Sequence, residues 1–167
     1  MKNAELRKVT EYAGLSHDSI AFNAELWIDG TLAAHVEDDG HGGTPHFRYV
    51  DRMHGKSEFE AVFDAWVAAM PPIPPDQWDI DNGFTDPTAM NPELWIGGEL
   101  LRVELEKVTK RKCARNTLFR LVGDGADEYR TFQPARKYTP AFAAQLREKH
   151  GENLLEILNE RFTKGAK

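Results

Sequence analysis

The chain has 167 residues, 41% of them hydrophobic and 29% charged, with a formal net charge of −6. That length suits one ordinary domain or two small lobes, and the apolar fraction is too high for a disordered chain. No apolar run approaches the roughly 18 residues of a membrane helix, and Met1-Lys2-Asn3-Ala4-Glu5 lacks the apolar stretch of a secretion signal. The single cysteine, Cys113, cannot close an internal disulfide, so the expected setting is a reducing cytoplasm and no membrane.

Charge is unevenly spread. Residues 1–101 carry 6 Lys/Arg against 18 Asp/Glu, whereas residues 102–137 carry 10 against 5. Such a division can hold two parts of one chain together or offer each part a different partner.

Ser19 to Ile28 alternates, with Ile20, Phe22, Ala24, Leu26 and Ile28 on one face and Ala21, Asn23, Glu25 and Trp27 on the other. This is the pattern of a half-buried strand. Asp29-Gly30 marks a hairpin, and Leu32, Ala34 and Val36 continue the apolar set. A two-residue loop would pair Leu26 with Ala33 and put the two apolar sets on opposite faces. A three-residue loop, Ile28-Asp29-Gly30 with Gly30 left-handed, puts them on one face and is the expected turn. The glycine-rich Asp38 to Pro45 reads as a loop and His46 to Val50 as a short third strand.

Ser57-Glu58-Phe59-Glu60 is a capping box. It opens a helix whose apolar face is Phe59, Val62, Phe63, Trp66, Val67 and Met70, stopped by Pro71-Pro72-Ile73-Pro74-Pro75. Asp76 to Met90 has no period and four aspartates, and is expected to be a long loop. Asn91-Pro92 starts a helix with a stripe of Leu94, Leu101, Leu105 and Val108, and Gly97-Gly98 is the point where it would kink or split. Thr117 to Val122 and Tyr129 to Gln133 read as a second hairpin around Gly123 to Glu128. A helix is expected from Thr139-Pro140 to His150-Gly151. Another is expected from Glu152 to Phe162, with Leu154, Leu155, Ile157, Leu158 and Phe162 inward.

The order is therefore β-β-β-α followed by α-β-β-α-α. Strands grouped into hairpins indicate an α+β fold with antiparallel sheet packed by helices. The expected unit is a single domain over 1–167, with sub-lobes 1–75 and 91–162 around the Pro/Asp-rich loop as the alternative division.

Four sets of residues carry candidate chemistry. Gly40-His41-Gly42-Gly43 reads as an anion-cradling loop or as a simple chain reversal. It matches neither G-x-G-x-x-G nor the phosphate-loop pattern. Asp38, Asp39, His41 and His46 could hold a divalent metal, the only cofactor the sequence suggests, although the spacing of His35, His41, His46 and His54 fits no zinc motif. Trp27, His35 and Tyr49 would form an exposed binding face if nothing covers that side of the sheet. Lys107, Lys110, Arg111, Lys112 and Arg115, extended by Arg120, Arg130, Arg136 and Lys137, form either a solvated helix end or a phosphate-contacting patch.

Other signals lead nowhere. Ser16-His17-Asp18 spells a catalytic trio, yet three successive side chains cannot converge. Cys113 lies among cations that would activate an exposed thiol, and otherwise serves as a small buried residue. With no catalytic set, the first reading is a non-enzymatic interaction protein binding a protein or nucleoprotein partner, of the sort mobile elements encode as accessory or inhibitor proteins. The alternatives are a metal- or phosphate-dependent hydrolase or nuclease using the Asp38–His46 loop, and a nucleic-acid binder using the Lys107–Arg115 patch.

Overall fold

The structure, a computed structural model, describes residues 3–125 and 128–163. The fold is α+β, with antiparallel sheets and helices. The chain divides into two compact units, residues 1–103 and 104–167. The boundary falls inside a helix, and the Pro/Asp-rich segment belongs wholly to the first unit.

The first unit is built on a four-stranded sheet, β1 (Ala4–Glu11), β2 (Phe22–Ile28), β3 (Thr31–Asp38) and β4 (His46–Tyr49), each antiparallel to the next. β1 is an additional strand beyond the three expected. Its alternation is broken where Arg7 pairs Glu25 but Thr10 pairs Asn23, so the strand bulges at Lys8, whose φ is 52°.

The β2–β3 turn corrects the expected three-residue loop. Ile28 pairs Thr31 directly, and Asp29 and Gly30 both take positive φ (48° and 83°), giving a two-residue turn of the type that suits strand twist. The register is then restored by a bulge. Trp27 faces Leu32 and Leu26 faces Ala34, so Ala33 is the extra residue. One inserted residue returns Ala34 and Val36 to the face of Leu26 and Ala24, while Leu32 stays with Trp27 on the other.

Against the apolar face pack α1 (Glu58–Ala68) and the first turns of α3 (Pro92–Cys113). Phe63 and Val67 of α1 are fully buried, with Phe59, Trp66 and Met70 beside them, whereas Val62 is exposed. Phe63, Trp66 and Trp95 form a cluster of rings 5.2–6.4 Å apart. Only half of the expected capping box forms at α1. Ser57 Oγ accepts the Glu60 N–H at 3.0 Å, but Glu60 turns to Arg52 instead of reaching back. Asp51 does the remaining capping, accepting the Ser57 hydroxyl and the N–H groups of Glu58 (2.8 Å) and Phe59 (3.1 Å).

The helix α3 starts as expected, with Asn91 Oδ1 accepting the Leu94 N–H at 2.9 Å, and runs unbroken through Gly97-Gly98. Its buried residues are Trp95, Ile96 and Leu100, so the leucine stripe is corrected: Leu101 and Leu105 are exposed. The expected loop at 76–90 also contains a short helix, α2 (Gln77–Asp81).

In the second unit β5 (Phe119–Leu121) pairs antiparallel with β6 (Leu154–Ile157), in a sheet separate from the first. Two expectations fail together here. The hairpin partner at Tyr129–Gln133 contributes a single bridge, Phe119 with Arg130, and part of its loop, residues 126–127, lies outside the described residues. The expected helix over 152–162 is instead β6 followed by the short α5 (Asn159–Thr163). The helix α4 (Pro140–His150) is capped by Thr139, as its sequence indicates. It buries Ala143 and Leu146 against Phe119 and Ile157.

Candidate functional site

The glycine-rich loop is a structural joint. The Gly40 carbonyl accepts the N–H groups of His17 (2.9 Å), Asp18 (3.0 Å) and Ser19 (3.3 Å). Asp38 Oδ1 accepts both the Ser19 hydroxyl and the Gly40 N–H at 2.7 Å. The His41 N–H goes to Asp39 Oδ1 (3.1 Å) and the Gly42 N–H to Ser19 Oγ (3.1 Å). Three successive N–H groups that an anion would need are thus spent inside the protein. The adjoining cleft of about 550 Å³ is lined by Glu37, Asp38 and Asp39 together with Tyr12, Asn23 and His46. Carboxylates on that wall repel phosphate, so of the two readings of Gly40, His41, Gly42 and Gly43 the hydrogen bonds and charge favour chain reversal over an anion cradle.

Three of the proposed metal ligands, Asp38, Asp39 and His46, line that cleft, and His41 Nδ1 lies 3.8 Å from Asp39 Oδ1. Asp38 is committed to Ser19 and Gly40, and His41 packs edge-on against His17 at 5.2 Å, while His46 lies across from Glu37 on β4. Among the described residues, no three His, Cys, Asp or Glu side chains come together in a group that could hold a metal ion.

The sheet face expected to join Trp27, His35 and Tyr49 is corrected at Tyr49. This residue pairs Ala34 and lies buried in the core, whereas His35 pairs Glu25 and Arg48 on the opposite face. The alternation His46, Phe47, Arg48, Tyr49 already carried this information. Burial pushes the Tyr49 phenol above its ordinary range, with Asp64 and Glu60 adding to the shift. On the outer face Trp27 is enclosed by polar groups. The Arg7 guanidinium lies 4.2 Å over its ring, and its indole N–H donates to Glu25 Oε2 at 2.9 Å. Lys8 holds the other oxygen of Glu25 at 2.9 Å, and these hydrogen bonds keep the carboxyl below the usual range.

The basic run separates into engaged and free cations. Arg111 reaches Glu104 at 3.1 Å, Arg120 reaches Glu156 at 3.0 Å, and Arg130 reaches Asp124 at 2.8 Å. Lys107 also lies near Glu104, and Lys112 bonds the Tyr129 hydroxyl and stands over its ring. Lys110, Arg115 and Lys137 have no side-chain partner among the described residues.

A conspicuous surface feature without a motif in the sequence lies in the segment expected to be an irregular loop, residues 76–90. Ile73 and Thr88 exchange both backbone hydrogen bonds at 2.9 Å, closing the intervening chain into an omega-like loop. Inside it Asp76 and Asp79 form a reciprocal capping box at the start of α2. The Phe84 N–H returns to the Asp79 carbonyl at 2.9 Å, and the Asn82 side chain bonds the Trp78 carbonyl at 2.8 Å. On this pinned frame Trp78 is 66% exposed, Phe84 62% and Ile80 48%. The available signal was the absence of any period, which gives Trp78, Ile80 and Phe84 no common helix or strand face to bury. No family model, curated protein or solved structure matches the chain. Among the described residues, no helix is long and apolar enough to cross a membrane.

Proposed function

We propose that this chain is a non-enzymatic interaction protein whose first unit docks a protein partner through the closed loop between Ile73 and Thr88. The observation that carries this reading is the exposure of Trp78, Ile80 and Phe84 on a loop held in shape by its own hydrogen bonds. Leaving aromatic surface in water is unfavourable by about 25 cal/mol per Å², and aromatic residues are the commonest energetic anchors of protein interfaces. A loop that is already ordered loses little entropy on binding. Asp76, Asp79, Asp81 and Asp86 stand among these residues, so the matching partner surface is an apolar pocket with a Lys/Arg rim. On this reading the protein works in the reducing cytoplasm, the compartment that suits a lone cysteine.

The test compares the wild-type chain with the double variant Trp78→Ala/Phe84→Ala in affinity capture from host lysate. Calorimetry on the purified captured protein then follows. Because both side chains are exposed, the double variant keeps the wild-type melting temperature while affinity falls about 100-fold or more. Equal capture by both proteins, or no protein captured by either, overturns the reading.

A further inference from the structure

We propose that the second unit binds a nucleic-acid backbone through Lys110, Arg115, Arg136 and Lys137. This site lies in a different unit from the loop at Ile73–Thr88 and shares no residue with it. Residues 104–167 carry fourteen Lys/Arg against nine Asp/Glu, whereas residues 1–103 carry seven against eighteen. Positive charge alone would not define a site, since Arg111, Arg120, Arg130, Arg147 and Arg161 are each paired with a carboxylate. What distinguishes the four residues is that the fold joins them while leaving them without acidic partners.

The joining is done by the backbone. The Arg136 N–H donates to Asn116 Oδ1 at 2.9 Å, and the Arg136 carbonyl accepts the Thr117 N–H at 2.6 Å and the Thr117 hydroxyl at 2.9 Å. These bonds fix the backbone of Arg136 against Asn116 and Thr117, the residues that follow Arg115 just past the end of α3, and Lys137 is its chain neighbour. Lys110 lies little more than one helical turn before Arg115 on the same stretch, its carbonyl accepting the Ala114 N–H at 3.1 Å. The Arg136 guanidinium sits 5.4 Å over the Phe142 ring, a cation backed by an aromatic face. All four side chains belong to exposed residues. The carboxylates behind them on α3 are Glu104, taken up by Lys107 and Arg111, and Glu106, about one turn before Lys110.

Four exposed cations without carboxylates suit a phosphodiester chain, in which every phosphate carries a negative charge. The proposal assigns these four cations to phosphates and not to base edges, so the expected binding is independent of sequence. With about four phosphates neutralised, the logarithm of the duplex-DNA affinity should fall against the logarithm of salt concentration with a slope of about −3 to −4.

The experiment is fluorescence polarisation of the full chain with a labelled 20-nucleotide duplex DNA and a single-stranded RNA of equal length, from about 25 to 300 mM salt. The variant Lys110→Ala/Arg115→Ala/Arg136→Ala/Lys137→Ala is expected to lose affinity at least 30-fold and most of the slope. Arg115→Lys/Arg136→Lys, which keeps the charge, should stay near wild type and separates lost contacts from lost folding. Arg48→Ala/Lys56→Ala, which removes charge from the first unit, should change affinity less than twofold. Absence of binding at 25 mM salt, a flat salt response, or full retention by the quadruple variant overturns the proposal. So does displacement by polyglutamate as effectively as by unlabelled oligonucleotide, because the site would then accept any acidic chain. None of these outcomes depends on Trp78 or Phe84, so the two proposals can fail separately.

Discussion

The side-chain oxygen of Asn159 accepts the Leu118 N–H at 2.8 Å, across 41 residues of sequence. Its amide nitrogen donates to the carbonyls of Cys113 and Asn116, both at 2.9 Å. One buried amide therefore ties the start of α5 to the end of α3 and to the residue before β5. Asn159→Ala leaves an N–H and two carbonyls without that partner, at a cost of about 2–4 kcal/mol. Native-state hydrogen exchange checks this: the Leu118 amide should lose protection more than amides in the first unit.

Gly40 and Gly97 should respond in opposite directions. Gly40 has φ +84°, and a Cβ there would be driven into the Leu15 carbonyl oxygen and within 2.9 Å of the Ala21 Cβ. Backbone cannot yield as a flexible side chain would, so Gly40→Ala should destabilise the first unit by about 2–4 kcal/mol. Gly97 lies inside α3 with nothing within 4 Å of an added Cβ, and Gly97→Ala should stabilise by about 0.5–1 kcal/mol. All four tryptophans lie in residues 1–103, so urea titration followed by tryptophan fluorescence reads this unit directly.

Asp124 sets an acid limit on the second unit. Hydrogen bonds from Arg130 (2.8–3.2 Å), and then from the Leu121 N–H at 2.8 Å, hold its carboxyl at about 2. A folded-state value below the unfolded one stabilises above the unfolded pKa, near 3.8, and that contribution is lost as pH falls towards 2. Asp124→Asn should lower the melting temperature at pH 7 and flatten its decline between about pH 4 and pH 2. An unchanged acid limb in thermal melts would refute this assignment.

Cys113 should be a slow thiol despite its cationic neighbourhood in sequence. It is half-buried, and desolvation pushes its pKa up to about 11 against the opposing influence of Arg161. At pH 8 about one molecule in a thousand then carries the thiolate. Iodoacetamide should alkylate the native protein about 100-fold more slowly than the urea-unfolded chain. Similar rates in both states would show that the thiol is not shielded.

The amino-acid sequence by itself determined the elements whose signals are local. The α1 face apart from Val62, the Ser57, Asn91 and Thr139 caps, the β2 alternation and the position of the hairpin at Asp29-Gly30 all follow from residues within a few positions of one another, and with them the α+β class. Tertiary structure decided whatever depended on an unannounced partner. Leu154 to Ile157 has the composition of a helix face and becomes a strand because β5 supplies its hydrogen bonds. Ala33 bulges because a two-residue turn would otherwise expose Ala34 and Val36. The sequence shows the basic run and the missing period over 76–90, but not which cations stay unpaired or which of the apolar residues, Trp78 and Phe84 among them, stay exposed. Both depend on which side chains the completed fold leaves without neighbours, and that is a property of packing between distant segments.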